Sequence, residues 1–542
     1  MKEIMAVAWL VMGGAIACSF LTKGAYAAGE SCEALANMDL PNAKVTTAEL
    51  VAAGAFAAPE GVPAWMAGDP ALYKGLPAFC RVKVESKPSA DSDIKIEAWL
   101  PASGWNGQFR GQGNGGFAGS IDYRGLGLAI AQGYASAATD TGHSADGGDA
   151  TWALGHPEKI IDFAYRAIHE MTMVGKAAAR AFYGDTPKHA YFASCSNGGR
   201  QALMEAQRYP ADYDGILAGA PANYWTHLLT GALWDAQATT NDAASYIPSS
   251  KVRAIAQAVL AACDAQDGVK DGILNDPRQC HFDPTALACK GGDADSCLTA
   301  PQVTALKKLY EGAHDAGGKA IFPGFVRGGE EGPGGWSFWI TGPAPGKALL
   351  FAFAYGYFAD MVYGKADWDY KKANLDEAVA ASDQKFANVM NSVQADMEGF
   401  QARGGKLIIY HGWNDPAISP LNSIDYYERV VAKMGKPVSA SFLRLYLVPG
   451  MQHCSGGPGP DEFGEFGISQ RNDTQHNVYL ALQEWVEKGT APGTVIASKH
   501  QGAGSMGKVT MTRPLCAYPQ VAKYEGSGDT NDAANFACET EK

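Results

Sequence analysis

The sequence predicts an α/β fold interrupted by one long insertion, and three observations carry that reading. Apolar runs alternate with stretches of helical period through the first part of the chain. One such run, His189 to Ala193, passes directly into a helix-like run, Gly199 to Arg208, through Ala193-Ser194-Cys195-Ser196-Asn197-Gly198-Gly199-Arg200. From about Asn223 to Gly404 the alternation stops in residues rich in Gly, Ala, Pro, Asp and aromatics, and it resumes at Leu407 to Tyr410. The expected division is a leader at 1–27, a main domain of 28–222 and 405–542, and an inserted domain at 223–404.

Composition bounds the function. Hydrophobic residues make up 46% and charged residues 19% of the 542, which suits a large folded core, and the net charge of −13 gives no basic footprint for nucleic acid. Lys2, the apolar run Ile4 to Phe20 and the small-residue site Ala25-Tyr26-Ala27 read as a secretory signal cut after Ala27, which makes the chain secreted or periplasmic. Cys18, after Ala15-Ile16-Ala17, leaves a second reading open, in which the mature chain is lipid-anchored there. No later stretch approaches a membrane-spanning length. Without Cys18 the 11 cysteines become ten, an even number that in an exported chain suggests disulfides. Spacing proposes Cys263 with Cys280 and Cys289 with Cys297 as local loops, and Cys516 with Cys538 as a tail clip. No Cys-x-x-Cys pair occurs, so no structural zinc is expected.

In chain order, Asp39 to Ala78 is Ala- and Pro-rich without sustained period and reads as an irregular arm. Arg81 to Leu100 alternates at Val82, Val84, Ile94, Ile96 and Trp99, two strands of a hairpin around the turn Lys87 to Asp93. After the turn Trp105-Asn106-Gly107, the stretch Phe109-Arg110-Gly111-Gln112-Gly113-Asn114-Gly115-Gly116-Phe117 reads as a glycine loop whose amides can approach an anion. Gly133 to Thr139 predicts a buried strand, and Lys159 to Phe182 a helix with Ile160, Phe163, Ala167, Met171 and Val174 on one face. Gly215 to Pro221 predicts the next parallel strand. Beyond the insertion come the apolar runs Leu407 to Tyr410 and Phe442 to Val448, an amphipathic helix at Asn477 to Glu487, and an irregular tail from Lys508.

A strand that turns tightly into a helix lifts a serine hydroxyl clear of the sheet, and the usual pattern is Gly-x-Ser-x-Gly. Here Ser194 replaces the first glycine, so the stretch alone also admits a plain glycine turn without chemistry. Asp415 follows the run at 407 and His453 the run at 442. Serine, acid and histidine in that order is the arrangement of α/β-hydrolases, with His453 as base and Asp415 as its orienting acid. His411 ends a strand near Asp415 and is the weaker rival base.

Cys195 stands immediately before the serine and Cys454 immediately after the histidine. With these residues the chain, from about Cys32 to Cys538, resembles the tannase and feruloyl esterase family, which includes the mono(2-hydroxyethyl) terephthalate hydrolases. The resemblance implies an α/β-hydrolase core with the insertion as a lid, and a disulfide between Cys195 and Cys454; Cys32 with Cys80 completes the set. It implies an oxyanion hole from Gly116, with Gly115 close behind, and Asn197, and it places His411 at the substrate pocket. Cys263-Asp264-Ala265-Gln266-Asp267-Gly268-Val269-Lys270-Asp271-Gly272-Ile273 crowds three carboxylates and departs from the EF-hand pattern. It resembles the family's calcium loop, which implies Ca2+ held by the side chains of Asp264, Asp267 and Asp271 and the carbonyls of Val269 and Ile273. A solvated acidic turn is the alternative.

Gly332 to Tyr363 carries Trp336, Phe338, Trp339, Phe351, Phe353, Tyr355, Tyr357 and Phe358, enough rings to grip a planar apolar ligand. Most belong to a lid core; Trp336 and Trp339, beside glycines, are expected to face the ligand. The expected function is a secreted serine esterase acting on esters of hydroxycinnamic and other phenolic acids through an acyl-enzyme, with a small aromatic ester as its partner. Terephthalate monoesters and gallates are the alternative substrates. A hydrolase-fold binding protein is the alternative without chemistry, and a serine peptidase the alternative with it.

Overall fold

The sheet is assembled from the apolar runs that alternate with helices along the sequence. The computed structural model describes residues 29–467, 469–502 and 507–540; the expected signal at 1–27, with Cys18, lies outside them. In chain order the strands are β1 (Ala43–Val51), β2 (Phe79–Ser86), β3 (Ile94–Pro101), β4 (Gln108–Gln112), β5 (Ala135–Thr139), β6 (His189–Cys195), β7 (Gly215–Gly219), β8 (Gly312–His314), β9 (Ala320–Pro323), β10 (Lys406–Gly412) and β11 (Leu443–Val448). Nine of them form one sheet in the order β1-β2-β3-β5-β4-β6-β7-β10-β11, while β8 and β9 pair separately. From β5 to β11 every pairing is parallel, and β1, β2, β3 and β5 pair antiparallel. This is an α/β-hydrolase fold.

Parallel strands are covered on both faces, so their sequences read as continuous apolar runs. On one face Phe109, Phe192, Ile216, Ile409 and Leu445 share a core with Met171, Val174 and Ala178 of the helix Ala167–Tyr183 and with Ile424 and Val430 of the helix Pro420–Met434. On the other, Tyr191, Leu217, Ile408, Tyr410 and Tyr446 pack against Leu482 and Trp485 of the helix Val478–Lys488. Alternate residues of each strand supply the two faces, as the period of two requires.

The chain leaves the sheet after β7 and regains it at the neighbouring strand β10, so the intervening residues form an excursion between two adjacent strands inside the sheet. The helices Trp225–Thr240, Ser249–Cys263, Ala300–Glu311 and Leu375–Met390 dominate this excursion. Its core, including Leu229, Ile255, Leu306 and Tyr357, is continuous with Phe117 and Phe163 of the main domain. Among the described residues five disulfides form: Cys32–Cys80, Cys195–Cys454, Cys263–Cys280, Cys289–Cys297 and Cys516–Cys538.

Three segments differ from the sequence reading. The arm at Asp39 to Ala78 contains β1, whose alternation is weak because an edge strand has a neighbour on one side only and most of its residues stay partly exposed. Gln108–Gln112 is not part of a loop but the strand β4 at the centre of the sheet, with Arg110 and Gln112 buried where apolar residues are the rule. The tail is not irregular: Val509–Leu515 pairs with Val495–His500, and Gln520–Tyr524 with Phe536–Thr540.

Candidate active site

β6 ends at Cys195 and the helix Asn197–Arg208 starts at once, so Ser196 alone turns the chain. Its φ of 67° lies in the left-handed region, a strain of about 1–3 kcal/mol for a non-glycine residue. The turn is held because Ser196 N donates to Gly219 O at 2.9 Å, while Arg200 N and Ala222 N donate to Ser196 O at 3.0 and 3.1 Å. A Cβ at Gly199 would stand 2.2 Å from Gly219 O, so only glycine lets the helix approach β7 this closely. Ser194 fits in place of the usual glycine because Gly113 and Gly198 leave room; a Cβ on either would come within 2.6 and 1.9 Å of Ser194 Oγ.

Asp415 follows β10 and His453 follows β11, and both reach Ser196. His453 Nε2 lies 2.9 Å from Ser196 Oγ, and His453 Nδ1 lies 2.8 Å from Asp415 Oδ2. Asp415 is buried, its Oδ1 accepting from Ala417 N at 2.8 Å and Ile418 N at 3.0 Å. Burial alone would push its carboxyl up; the His453 charge and hydrogen bonds from His411 and His453 outweigh that and hold it below the usual carboxylate range. A carboxylate only accepts, so the nitrogens facing it carry the hydrogens. His453 Nε2 is then left with a lone pair aimed at the serine hydroxyl. Cys454, bonded to Cys195, anchors the histidine loop to the strand that carries the serine.

Ser196 and His453 open on a cavity of about 810 Å3. The backbone of Gly113 to Gly116 forms one wall, and Trp339, Phe353 and Leu349 of the insertion form another. The Trp339 ring stands edge-on to His453, 5.0 Å between centroids. Gly116 has a φ of 54°, and a Cβ there would lie 2.3 Å from Gly147 O. Asn197 is buried at the helix start and is absent from the cavity wall. At the mouth Trp65 and Phe338 are more than half exposed. Polar lining comes from Arg110, Arg124, Asp69, Asp122 and Asp146. Burial pushes the Asp122 carboxyl up to about 6, against the lowering effect of its bond from Gly125 N and of Arg124 and Arg110.

Two expectations about substrate contact need correction. Trp336 is buried in the core of the insertion, with its ring taken up by Tyr310 and Phe325, and it does not line this cavity. His411 is fully buried below Asp415, with Nε2 3.1 Å from Asp415 Oδ2 and Nδ1 2.8 Å from Ser423 Oγ, and it too is away from the wall. Sequence reading missed Trp65, Arg110 and Arg124, which reach the cavity only through tertiary folding of the arm, β4 and the helix Tyr123–Ala131.

The acidic loop does not line this cavity; it borders a second one of about 800 Å3 that it shares with the tail. Asp264 Oδ1 accepts from Gly272 N, Asp267 from Val269 N and Asn275 N, and Asp271 Oδ1 from Ile273 N. Burial first, and then the charges of the neighbouring aspartates, push the Asp267 carboxyl up; Asp271 is pushed up by burial and Asp264, with Arg513 opposing at 2.6 Å. Three mutually repelling carboxylates against one arginine are a donor set that fits a hard cation. They are not drawn as tightly together as His169, Glu205 and Asp212, whose ligand atoms lie within 4.8 Å of one another.

Residues 80–539 match the family described as tannase and feruloyl esterase. The chain belongs to that family. It is 42% identical to an uncharacterized esterase of Xanthomonas campestris pv. campestris, covering 94% of this chain and 91% of the relative. It is 33% identical to the mono(2-hydroxyethyl) terephthalate hydrolase of Piscinibacter sakaiensis, covering 88% of each. The crystal structure of feruloyl esterase B from Aspergillus oryzae superposes with a TM-score of 0.85 at 30% identity, over 94% of this chain and 99% of that one. The tannase and feruloyl esterase chain described here is accordingly a carboxylic ester hydrolase, which removes the reading as a binding protein without chemistry. Among its described residues no helix is long and apolar enough to cross a membrane.

Proposed function

We propose that this esterase hydrolyses esters of planar aromatic acids, hydroxycinnamates foremost, by a serine acyl-enzyme mechanism. The observation that carries the reading is the hydrogen-bonded series Ser196, His453, Asp415 opening on a cavity walled by Trp339 and Phe353. Ser196 Oγ attacks the ester carbonyl carbon as His453 Nε2 takes its proton. Backbone amides of Gly116 and Asn197 stabilise the resulting oxyanion. The tetrahedral species collapses, His453 returns the proton to the leaving alcohol, and Ser196 keeps the acyl group. A water molecule, deprotonated by the same nitrogen, then releases the acid and restores the serine. Asp415 stabilises the imidazolium in both halves.

Export and calcium belong to the same proposal. Five disulfides suit a chain that matures outside the cytoplasm. Asp264, Asp267 and Asp271, with the carbonyls of Val269 and Ile273, would hold Ca2+, which supplies charge compensation to the loop and takes no part in ester cleavage. A second substrate reading, a terephthalate monoester, is favoured by the likeness to the Piscinibacter hydrolase and by Arg110 and Arg124 in the cavity.

The test is Ser196→Ala assayed on methyl ferulate. The expected loss in kcat/KM is at least about a thousandfold, with the melting temperature little changed. Activity surviving within about tenfold of the parent would remove Ser196 from the role.

A further inference from the structure

At the far end of the serine-bearing helix three side chains of different types converge. His169 stands in the first turn of the helix Ala167–Tyr183, Glu205 in the last turns of Asn197–Arg208, and Asp212 in the loop before β7. One ligand atom from each lies within 4.8 Å of the other two, and no other His, Cys, Asp or Glu trio among the described residues does the same. His169 Nδ1 is 2.7 Å from Asp212 Oδ2.

Glu205 is the anomaly. It is 1% exposed, and both its carboxylate oxygens are buried and meet no donor among the described residues; the group that faces them at hydrogen-bonding range is another carboxylate, Asp212. Lys176 offsets this burial only in part, since its ammonium bonds the backbone carbonyl of Asp212 and not the Glu205 carboxylate. Burial first, and then the charge of Asp212, push the Glu205 carboxyl well above the usual range. Two carboxylates this close in a dry site hold either a proton or a cation between them. The imidazole nitrogen at the third corner adds a donor that a cation would use and a shared proton would not need.

We propose that His169, Glu205 and Asp212 form a zinc site that clamps the C-terminal end of the serine-bearing helix to its neighbour. One imidazole and two carboxylates are donors zinc accepts, and three protein ligands leave a fourth position for water. Two negative charges balance the ion. The His169 ring lies flat on Tyr209, 3.9 Å between centroids, which fixes its orientation as supporting contacts do at metal sites. Its side chain is 29% exposed, which gives the ion an entry path to an otherwise buried trio. The missing Cys-x-x-Cys excludes a thiolate site and has no bearing on this one. Glu205 is nine residues beyond Ser196, roughly 13 Å along a helix at 1.5 Å per residue, so the ion would not touch the reacting ester.

The test uses the untagged chain, stripped with chelator and returned to excess calcium so that the acidic loop is satisfied. Zinc chloride is titrated by calorimetry and by melting temperature, and cobalt is used as a spectroscopic probe. The expected result is one equivalent of zinc, a higher melting temperature, and the visible absorption of four-coordinate cobalt, bleached by zinc. His169→Gln and Glu205→Gln each weaken uptake at least about tenfold, while hydrolysis of methyl ferulate stays within about twofold of the parent. If the wild type takes up no stoichiometric zinc and gives no such cobalt spectrum, the trio holds a shared proton and the proposal falls. Unchanged uptake in both variants also overturns it.

Discussion

His411 and Asp415 are joined by a buried hydrogen bond of 3.1 Å, to the same carboxylate oxygen that His453 engages at 2.8 Å. One acid therefore serves two histidines, and only His453 meets the serine. His411 is fixed in turn by Ser423 Oγ and by Ile418 O at 3.0 Å. It acts by holding the Asp415 carboxylate in place and in its charged form.

The expected phenotype of His411→Leu is a fall in kcat of about ten- to a hundredfold, the cost of one unmade hydrogen bond to a buried charged group, with KM nearly unchanged. His411→Gln, which retains a donor, should recover part of it. A His411→Leu variant that loses substrate affinity and keeps kcat would mean that the residue contacts substrate after all.

The Cys195–Cys454 bond closes a loop of 259 residues. By the chain-entropy model so long a loop is worth about 5.6 kcal/mol, less any native strain. Non-reducing peptide mapping should yield one linked peptide bearing both cysteines. The double variant Cys195→Ala/Cys454→Ala should unfold at lower denaturant and lose kcat, because the histidine loop is freed from the strand that carries Ser196. Either cysteine found as a free thiol contradicts the pairing.

How much of this was legible without coordinates follows from the kind of residue involved. β6, β7, β10 and β11 are buried on both faces, so each writes itself as an apolar run, and the residues that end these runs, Ser196, Asp415 and His453, could be named from their order alone. β4 and β1 escaped for opposite reasons. Gln108–Gln112 hides polar side chains at the centre of the sheet, and Ala43–Val51 is an edge whose outer residues need no pattern. Trp336 and Trp339 are both tryptophans three residues apart, and no local rule says which one lines the cavity; Trp336 packs on Tyr310 and Phe325, and Trp339 lines the wall. Trp65 lies more than a hundred residues before Ser196, and only the folded arm brings it to the cavity mouth.

Calcium should set the stability of the insertion without entering the chemistry. A chelator is expected to lower the melting temperature by several degrees, calcium alone should restore it, and Asp264→Asn should abolish the restoration. Hydrolysis measured well below the melting transition should not change on chelation. No calcium in the purified protein by elemental analysis, together with no gain in stability on adding it, would remove the loop as a metal site.

Glu465 gives stability a pH dependence with a definite sign. Burial pushes its carboxyl up to about 8, with Glu462 and Asp461 adding to the rise and the Phe463 N–H opposing it. The folded pKa exceeds the unfolded value, so the folded state binds the extra proton. Its contribution is complete below the unfolded value of 4.5 and is lost as pH rises through about 8. The upper bound on that loss is about 5 kcal/mol. Urea unfolding near pH 5 and near pH 9 should show a smaller difference for Glu465→Gln than for the parent; an equal difference would assign the pH dependence to other groups.

The acyl group is the last question, and charge decides it. A terephthalate monoester carries a free carboxylate at the far end of its ring, and burying it requires an uncompensated cation, most effectively a two-pronged arginine. Between Gly328 and Lys365 the insertion has no arginine and only Lys347 as an interior basic residue. The cavity does contain Arg110 and Arg124, but three aspartates, Asp69, Asp122 and Asp146, share its wall. Arg110 donates from Nη2 to Phe466 O at 3.0 Å and lies 4.6 Å from the Tyr479 ring, while its Nε and Nη1 are buried without a hydrogen-bond partner among the described residues. The Arg124 guanidinium lies 4.8 Å from the Phe466 ring. The lining therefore offers no surplus positive charge, whereas Trp339, Phe353, Phe338 and Trp65 offer planes for a neutral aryl ring. Methyl ferulate and methyl gallate should each show a kcat/KM above that of mono(2-hydroxyethyl) terephthalate, by about tenfold or more for the cost of one poorly paired buried charge. Arg124→Gln should change the ferulate value less than twofold or so, since no carboxylate of that substrate needs it. A clear preference for the terephthalate ester, abolished in Arg124→Gln, would establish the opposite: that Arg124 is free to pair with substrate and that the aspartates do not neutralise it.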